Sequence, residues 1–217
     1  MERRFQTVAI LGVGLIGGSI GLGLLRRRLV RRVIGIGRRA ESLRIAKELG
    51  AVTSTTVVLE EGVAEADLAV VCTPVGRIVE DVRTLAPACR QGTVITDVGS
   101  TKGAIVAGLR GGLPEGVCFI GGHPLAGGEQ SGAAAADADL FVDRTVVLTP
   151  DVRTPLDALD ALGVFWRDLG SRVVEMEAAE HDRALAATSH LPHLAAAALA
   201  AATPPELLPL TAGGWAD

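Results

Sequence analysis

At 217 residues the chain can form one large or two small domains around a sizeable core. A formal net charge of −4 and an aromatic content of 3% without tyrosine argue against nucleic-acid binding, which needs basic surfaces and stacking platforms. Although 48% of the residues are hydrophobic, no uncharged apolar run reaches the length of a membrane span, so no membrane partner is expected.

The cysteines Cys72, Cys89 and Cys118 are few and scattered, which suits reduced thiols in the cytoplasm and not a disulfide framework. Met1-Glu2-Arg3-Arg4 leads directly into the first strand, which is read as leaving no room for a signal peptide. A soluble cytoplasmic enzyme is the expectation.

Thr7 to Leu11 is a short apolar run rich in β-branched residues, and it breaks at Gly12-Val13-Gly14-Leu15-Ile16-Gly17. The apolar positions after it suit a helix packed on a sheet, so G-x-G-x-x-G stands between strand and helix, the context in which it marks a dinucleotide site. Gly12 permits the tight turn, Gly14 lets backbone approach a pyrophosphate, and Gly17 lets helix and strand pack closely. The helix N-terminus, with Leu15 and Ile16, offers unbonded N–H groups to the phosphates. The basic runs Arg26-Arg27-Arg28 and Arg31-Arg32 fit the solvated end of that helix, where cations favour the dipole.

Arg32 to Ile36 is the second strand. Its end is where an NAD-selective site places an acid for the ribose 2′-hydroxyl, yet the residues there are Gly37-Arg38-Arg39. Guanidiniums can bind a 2′-phosphate bidentately, so Arg38 and Arg39 favour NADP over NAD, with a solvated turn before the helix Glu41 to Leu49 as the other account. Ala51 to Val58 is weak strand material. Leu68 to Cys72 is a strongly apolar strand, and Thr73-Pro74-Val75 closes it at the sheet edge where such folds bind ligands. With Cys72, these residues are assigned to the cofactor. A helix from Arg77 to Leu85 and a strand from Thr93 to Asp97 come next.

Asp97-Val98-Gly99-Ser100-Thr101-Lys102 lies at the next strand-to-helix junction. Ser100 either caps the following helix, with Lys102 solvated, or the two present a hydroxyl and an ammonium to substrate and nicotinamide. Val117 to Ile120 is a strand, succeeded by the glycine-dense run Gly121 to Gly132, which is read as a loop at the strand's carboxyl end. His123, held between Gly122 and Pro124, is the candidate catalytic histidine. Arg144 to Leu148 is a strand, Leu156 to Leu169 an amphipathic helix and Ser171 to Met176 the last strand.

The alternation of strands and helices predicts a doubly wound, mostly parallel Rossmann sheet over residues 1–176. From Glu177 the composition turns alanine-rich and helical, so residues 177–217 are expected to begin a second, all-helical domain. There His190 and His193 flank Leu191-Pro192 at a spacing that puts them on one helix face, with Ser189 as N-cap and Pro192 in the first turn. No cysteine or carboxylate framework accompanies them, so an anionic ligand is expected and no metal.

Taken in order, Gly12 to Gly17, Thr73-Pro74-Val75, Asp97 to Lys102, Gly122 to Gly127 with Glu129 and Ser131-Gly132, Leu140-Phe141, and His181-Asp182 with the later Ser189-His-Leu-Pro-His193 resemble the prephenate/arogenate dehydrogenase family of tyrosine biosynthesis. The resemblance implies oxidative decarboxylation of a cyclohexadienyl substrate with hydride transfer to NADP or NAD. It implies that His123 accepts a hydrogen bond from the ring hydroxyl, and that Ser100 touches that hydroxyl or the nicotinamide. It further implies that Lys102, His190 and His193 serve the substrate's carboxylate end, that Glu129 lines and gates the pocket, and that Asp97 belongs to the cofactor side. The helical domain would pair two subunits. In the family a segment like Thr211 to Asp217 leads into a carboxylate-binding arginine and further helices, so the chain is expected to hold an incomplete dimerisation domain. Another Rossmann dehydrogenase of the β-hydroxyacid or imine-reductase type, or a non-catalytic NADP-binding module, are the alternatives.

Overall fold

The computed structural model describes residues 5–211. Its contacts divide the chain into two compact units, one ending at His181 and the other beginning at Asp182, slightly beyond the boundary expected at residue 176.

The first unit is built on an eight-stranded sheet. Its elements in chain order are β1 (Thr7–Leu11), α1 (Leu15–Arg26), β2 (Arg32–Ile36), α2 (Ala40–Glu48), β3 (Ser54–Thr56), α3 (Leu59–Val63), β4 (Leu68–Val71), α4 (Ile78–Leu85), β5 (Val94–Asp97), α5 (Gly103–Leu109), β6 (Cys118–Pro124), β7 (Thr145–Thr149), α6 (Leu156–Asp168) and β8 (Arg172–Glu175). The strand order is β3-β2-β1-β4-β5-β6-β7-β8. Every pairing from β3 to β6 is parallel, β6 and β7 are antiparallel, and β8 runs parallel to β7. This is the doubly wound, mostly parallel sheet predicted from the alternation of elements.

The central strands are apolar on both faces, as burial on two sides requires. Val8 and Ile10 of β1 join one core with Ile20 and Leu24 of α1 and with Leu162 and Trp166 of α6. Ala9 faces the opposite core, beside Val82 and Leu85 of α4 and Ile105 of α5. Each such aliphatic side chain contributes about 1.5–3 kcal/mol on full burial. Helices therefore cover both faces, and the sheet's carboxyl edge is where the junctions Gly12–Gly14, Cys72–Val75 and Val98–Ser100 come together.

One weak expectation holds in reduced form and two change. The segment Ala51 to Val58 yields only the three-residue β3, where pairing to β2 is limited to Ile34–Ile36. The helix after β5 starts at Gly103 with Lys102 as its N-cap residue and no side-chain cap, so Ser100 does not cap it. The largest change concerns β6, which does not end at Ile120. It runs on through Gly121, Gly122 and His123 to Pro124, pairing first with β5 and then with β7. Gly121 and Gly122 are dense-packing positions and not turn positions: a Cβ on Gly121 would meet Thr149 Oγ1 at 2.4 Å, and one on Gly122 would meet the Asp97 carbonyl at 2.7 Å.

The chain continues as helix from Ala178 to Ala202: α7 (Ala178–Leu185), a π-helical segment Ala186–His190, and α8 (Leu191–Ala202). No new helix starts at Ser189, which lies inside the π segment. Proline inside a helix lacks an N–H and crowds the preceding turn, and a π-bulge loosens the hydrogen-bond ladder where Pro192 enters. Running through Pro192, this helix is long and apolar enough, by length and composition alone, to cross a membrane, with a mean hydropathy of 1.2, which corrects the expectation that no stretch would qualify. No residue of α8 is buried. Of the segment Thr211 to Asp217, everything after Thr211 lies outside the described residues.

Candidate active site

Two adjoining hollows run along the carboxyl edge of the sheet in the first unit. One, of about 340 Å³, is lined by Gly12, Val13 and Gly14, by Arg38, Arg39 and Ser42, and by Cys72 to Pro74. The other, of about 530 Å³, is lined by Gly14 to Gly17, Cys72 to Val75, Ser100, His123 and Gln130 to Gly132. Gly14, Cys72, Thr73, Pro74 and Gly132 border both, so the two form one groove.

The glycine side of the groove is made of backbone. Gly12 N–H donates to the Ile36 carbonyl at 2.9 Å, Gly14 N–H to the Gly12 carbonyl at 3.0 Å, and Gly18 N–H to the Gly14 carbonyl at 2.8 Å. Those bonds set the turn and start α1, whose N-cap residue, Gly14, supplies no side-chain cap. Gly17 is obligatory for the approach: a Cβ there would stand 2.3 Å from the Gly12 carbonyl oxygen. At Gly14 a Cβ would meet nothing within 4 Å, because the position opens onto the groove. An uncapped helix N-terminus facing a hollow that side chains leave empty fits a dinucleotide pyrophosphate. Arg38 and Arg39 are exposed at the far end of this hollow, and among the described lining residues near them there is no acid at positions 37–39. Thr73 Oγ1 donates to buried Asp81 at 2.6 Å, and Arg77 donates to the same carboxylate at 3.0 Å, which ties the β4 loop to α4.

The opposite side is made of side chains held from beneath. Lys102 and Asp97, both 0% exposed, form a buried ion pair. Lys102 Nζ also donates to the Gly122 carbonyl at 2.7 Å; Asp97 accepts from Gly99 N–H at 2.8 Å and from Gly122 N–H at 3.2 Å. Burial pushes the Asp97 carboxyl upward, and the Lys102 ammonium with the two N–H donors works against that rise. The expected contacts of Lys102 with a substrate carboxylate and of Asp97 with the cofactor are therefore replaced. The pair lies under the floor and locks the β5 turn that carries Ser100 to the strand that carries His123.

His123 is half-buried on β6, and its Nδ1 lies 2.8 Å from Nε2 of His181, which is 0% exposed. Ser100 is exposed and lines the same hollow. Glu129 is exposed on the segment after β6, next to the lining residues Gln130 to Gly132 but not among them. His190 ends the π segment and His193 lies in α8, both exposed within the second unit. Burial raises the Cys72 thiol, with the Asp97 charge as a second cause, raises Cys118, and brings Cys89 to about 11. Each stays a thiol at neutral pH.

Sequence reasoning gave His181 no role. The pair His181-Asp182 carried part of the family resemblance, but nothing local says that a residue 58 positions from His123 meets its ring.

Comparison with known proteins gives a consistent result. Residues 20–175 match the profile described as prephenate dehydrogenase, nucleotide-binding domain, and residues 177–212 match prephenate dehydrogenase, dimerization domain. The chain is 36% identical over 193 residues to cyclohexadienyl dehydrogenase of Zymomonas mobilis, covering 88% of this chain and 65% of that protein. It is 36% identical over 224 residues to prephenate dehydrogenase of Bacillus subtilis, covering 100% of this chain and 60% of that one. The chain thus spans less than two thirds of the length of these curated relatives. The crystal structure of prephenate dehydrogenase from A. aeolicus in complex with hydroxyphenyl propionate and NAD+ superposes with a TM-score of 0.87 at 32% identity, over 98% of this chain and 76% of that one.

Proposed function

The chain belongs to the prephenate dehydrogenase family, and on that premise we propose that it serves the oxidative decarboxylation of prephenate, or of arogenate, with NADP preferred to NAD as hydride acceptor. The observation that carries the proposal is the placement of His123 and Ser100 on the same hollow as the glycine cradle, so that a ring held there lies between a hydrogen-bond acceptor and a nucleotide site.

Gly12 to Gly17 and the open N-terminus of α1 would hold the pyrophosphate; Cys72 to Val75 would border the nicotinamide end. Bound NAD(P)+ supplies the hydride acceptor. The residues of this chain supply position and field. Loss of hydride leaves the ring carbon electron-poor, and the hydroxyl oxygen on that carbon relieves it by donating electron density. A neutral His123 accepting the hydroxyl proton strengthens that donation. The ring carboxylate then departs as carbon dioxide, its bonding pair completes the aromatic ring, and the oxygen remains on the product. Ser100 lines the same hollow, which supports a hold on that hydroxyl or on the carboxamide beside it, and Gln130 to Gly132 border the hollow as well.

Arg38 and Arg39 support the preference for NADP, because two guanidiniums stand where an acid would repel a 2′-phosphate. The match of residues 177–212 to a dimerization domain supports pairing of two copies through that region, to which exposed Leu191, Leu194 and Leu199 of α8 would contribute. Free Cys72, Cys89 and Cys118 support a cytoplasmic setting.

The test is absorbance of the reduced nicotinamide with prephenate and with arogenate, each with NADP and NAD. Turnover with either substrate, lowered about 10²–10⁴-fold in His123→Asn with cofactor Kd unchanged, is the expected outcome. NADP binding without turnover of either substrate would replace the enzyme reading with that of a binding module.

A further inference from the structure

A neutral imidazole has one nitrogen that donates and one that accepts. The nitrogens that face each other in the histidine pair, His123 Nδ1 and His181 Nε2, are 2.8 Å apart, so one carries a proton and the other is bare. If His181 were the donor, the His123 proton would sit on Nε2, and the nitrogen left for the groove would itself be a donor. If His123 is the donor, its Nε2 keeps a lone pair. A substrate hydroxyl can give its hydrogen bond only to the second form.

We propose that His181 is the positioning residue of His123: its Nε2 accepts the Nδ1 proton and holds His123 in the tautomer whose Nε2 can act as a base. The inference rests on His123 being the group that meets the ring hydroxyl.

The setting supports a fixed geometry. His181 is fully buried in the first turns of α7, where its N–H donates to the Glu177 carbonyl at 2.9 Å. The two rings meet edge to face, with centroids 5.1 Å apart and planes at 69°. His123 itself is held by antiparallel pairing of β6 to β7, opposite Val147.

The same contact serves the charged state. Once His123 has taken up a proton, both ring nitrogens donate, and Nδ1–H still needs an acceptor. A carboxylate in that place would favour the imidazolium strongly through its charge. A neutral imidazole gives direction with a weaker bias. His123 therefore suits a shared proton during hydride loss and its easy return to the product hydroxyl. His181 can do this only with its own proton on Nδ1, since a proton on Nε2 would reverse the bond and turn the groove-facing nitrogen of His123 into a donor.

The experiment is ¹⁵N NMR of the imidazoles in the full chain, which has four histidines, with His123 assigned by its loss in His123→Asn. The expected result is the Nδ1–H pattern for His123 in the wild type. It should be kept in His181→Gln, whose amide oxygen replaces the acceptor, and give way to the Nε2–H form in His181→Phe, which keeps the ring but not the acceptor. His181→Met serves the same purpose should the phenyl ring prevent folding. An Nε2–H His123 in the wild type overturns the proposal, and so does an unchanged tautomer in both the Phe and Met variants. Prephenate turnover is read alongside: kcat should fall about 10²–10⁴-fold in the Phe variant and recover in part in the Gln variant, with KM for the cofactor little changed. If the wild type does not turn over prephenate, the functional reading fails, while the NMR still decides the role of His181.

Discussion

The two walls of the groove are made from different materials. The wall at β1 and α1 is backbone: Gly12 and Gly14 make the turn, Gly17 lets α1 pack against it, and the helix opens onto the groove with no side-chain cap. The wall at β5 and β6 is side chain, with Ser100 and His123 presented to the groove while Asp97, Lys102 and His181 hold them from inside the protein. A backbone wall can be specified by consecutive residues. A side-chain wall has to be assembled from positions far apart in the chain, and its rigidity comes from groups that never touch a ligand.

Substitutions can break one wall and spare the other. The largest effect is expected from Lys102→Met, which leaves the Asp97 carboxylate buried with no counter-charge. Removing one member of such a pair costs about 3–5 kcal/mol, measured as unfolding free energy in urea. The sign of its pH dependence comes from the direction of the Asp97 shift. Burial already raises that carboxyl in the folded protein, and loss of the ammonium removes what opposed the rise. Protonated Asp97 is the tolerated form, so the stability deficit of the variant is smallest below the unfolded carboxylate pKa. It grows as pH rises through the folded value. A deficit that does not change with pH would mean that the ion pair is not what Lys102 contributes.

Gly17→Ala attacks the other wall. Its methyl group would lie 2.3 Å from the Gly12 carbonyl oxygen and 2.9 Å from Ile10 Cγ2, and overpacking of this kind costs about 1–3 kcal/mol. Gly14→Ala sharpens the contrast, because its methyl has open space around it. Thermal unfolding should be nearly unchanged in Gly14→Ala while dinucleotide binding weakens. Equal losses of stability in both variants would show that the turn, and not the approach to a ligand, is what these glycines provide.

The Arg38→Ala, Arg39→Ala double variant tests the end of the backbone wall. Hydrogen bonds to charged groups contribute about 1.5–3 kcal/mol, so NADP should bind about 10–100-fold more weakly while NAD binding changes little. Equal weakening of the two cofactors would remove the arginines from 2′-phosphate recognition.

The same difference between walls governs what can be read without coordinates. The sequence around Gly12 to Gly17 announces both its shape and its ligand, since the turn, the approach and the helix start are all local events. Thr73 to Val75 is legible for the same reason, as a strand end closed by proline. His123 is legible as a residue but not as part of a strand, because Gly121 and Gly122 look like turn glycines and their true constraint is contact with Thr149 and Asp97. Lys102 looks like a ligand because it shares a junction with Ser100, but helix α5 begins one residue later and turns it inward beneath β6. The contact between His123 and His181 depends on β6 and α7 meeting, and no local pattern encodes that. In the second unit, Pro192 suggests a helix start, and the π segment that accommodates it is not a pattern that apolar spacing reveals.

The double allegiance of β6 has a mechanical consequence. Cys118 to Ile120 are bonded to β5 and Gly121 to Pro124 to β7, so the strand is anchored on opposite sides along its length. An imidazole carried by such a strand has almost no freedom to advance toward a ligand or withdraw from it. Under the proposed function, opening and closing would fall to the segment after Pro124, where exposed residues from Gly127 to Gly132 follow β6. The candidate histidine and that segment sit next to each other in sequence, yet one is carried by a strand paired on both sides and the other lies outside the sheet. On the proposed function, substitutions in that segment would change the turnover rate without disturbing the alignment of the histidine.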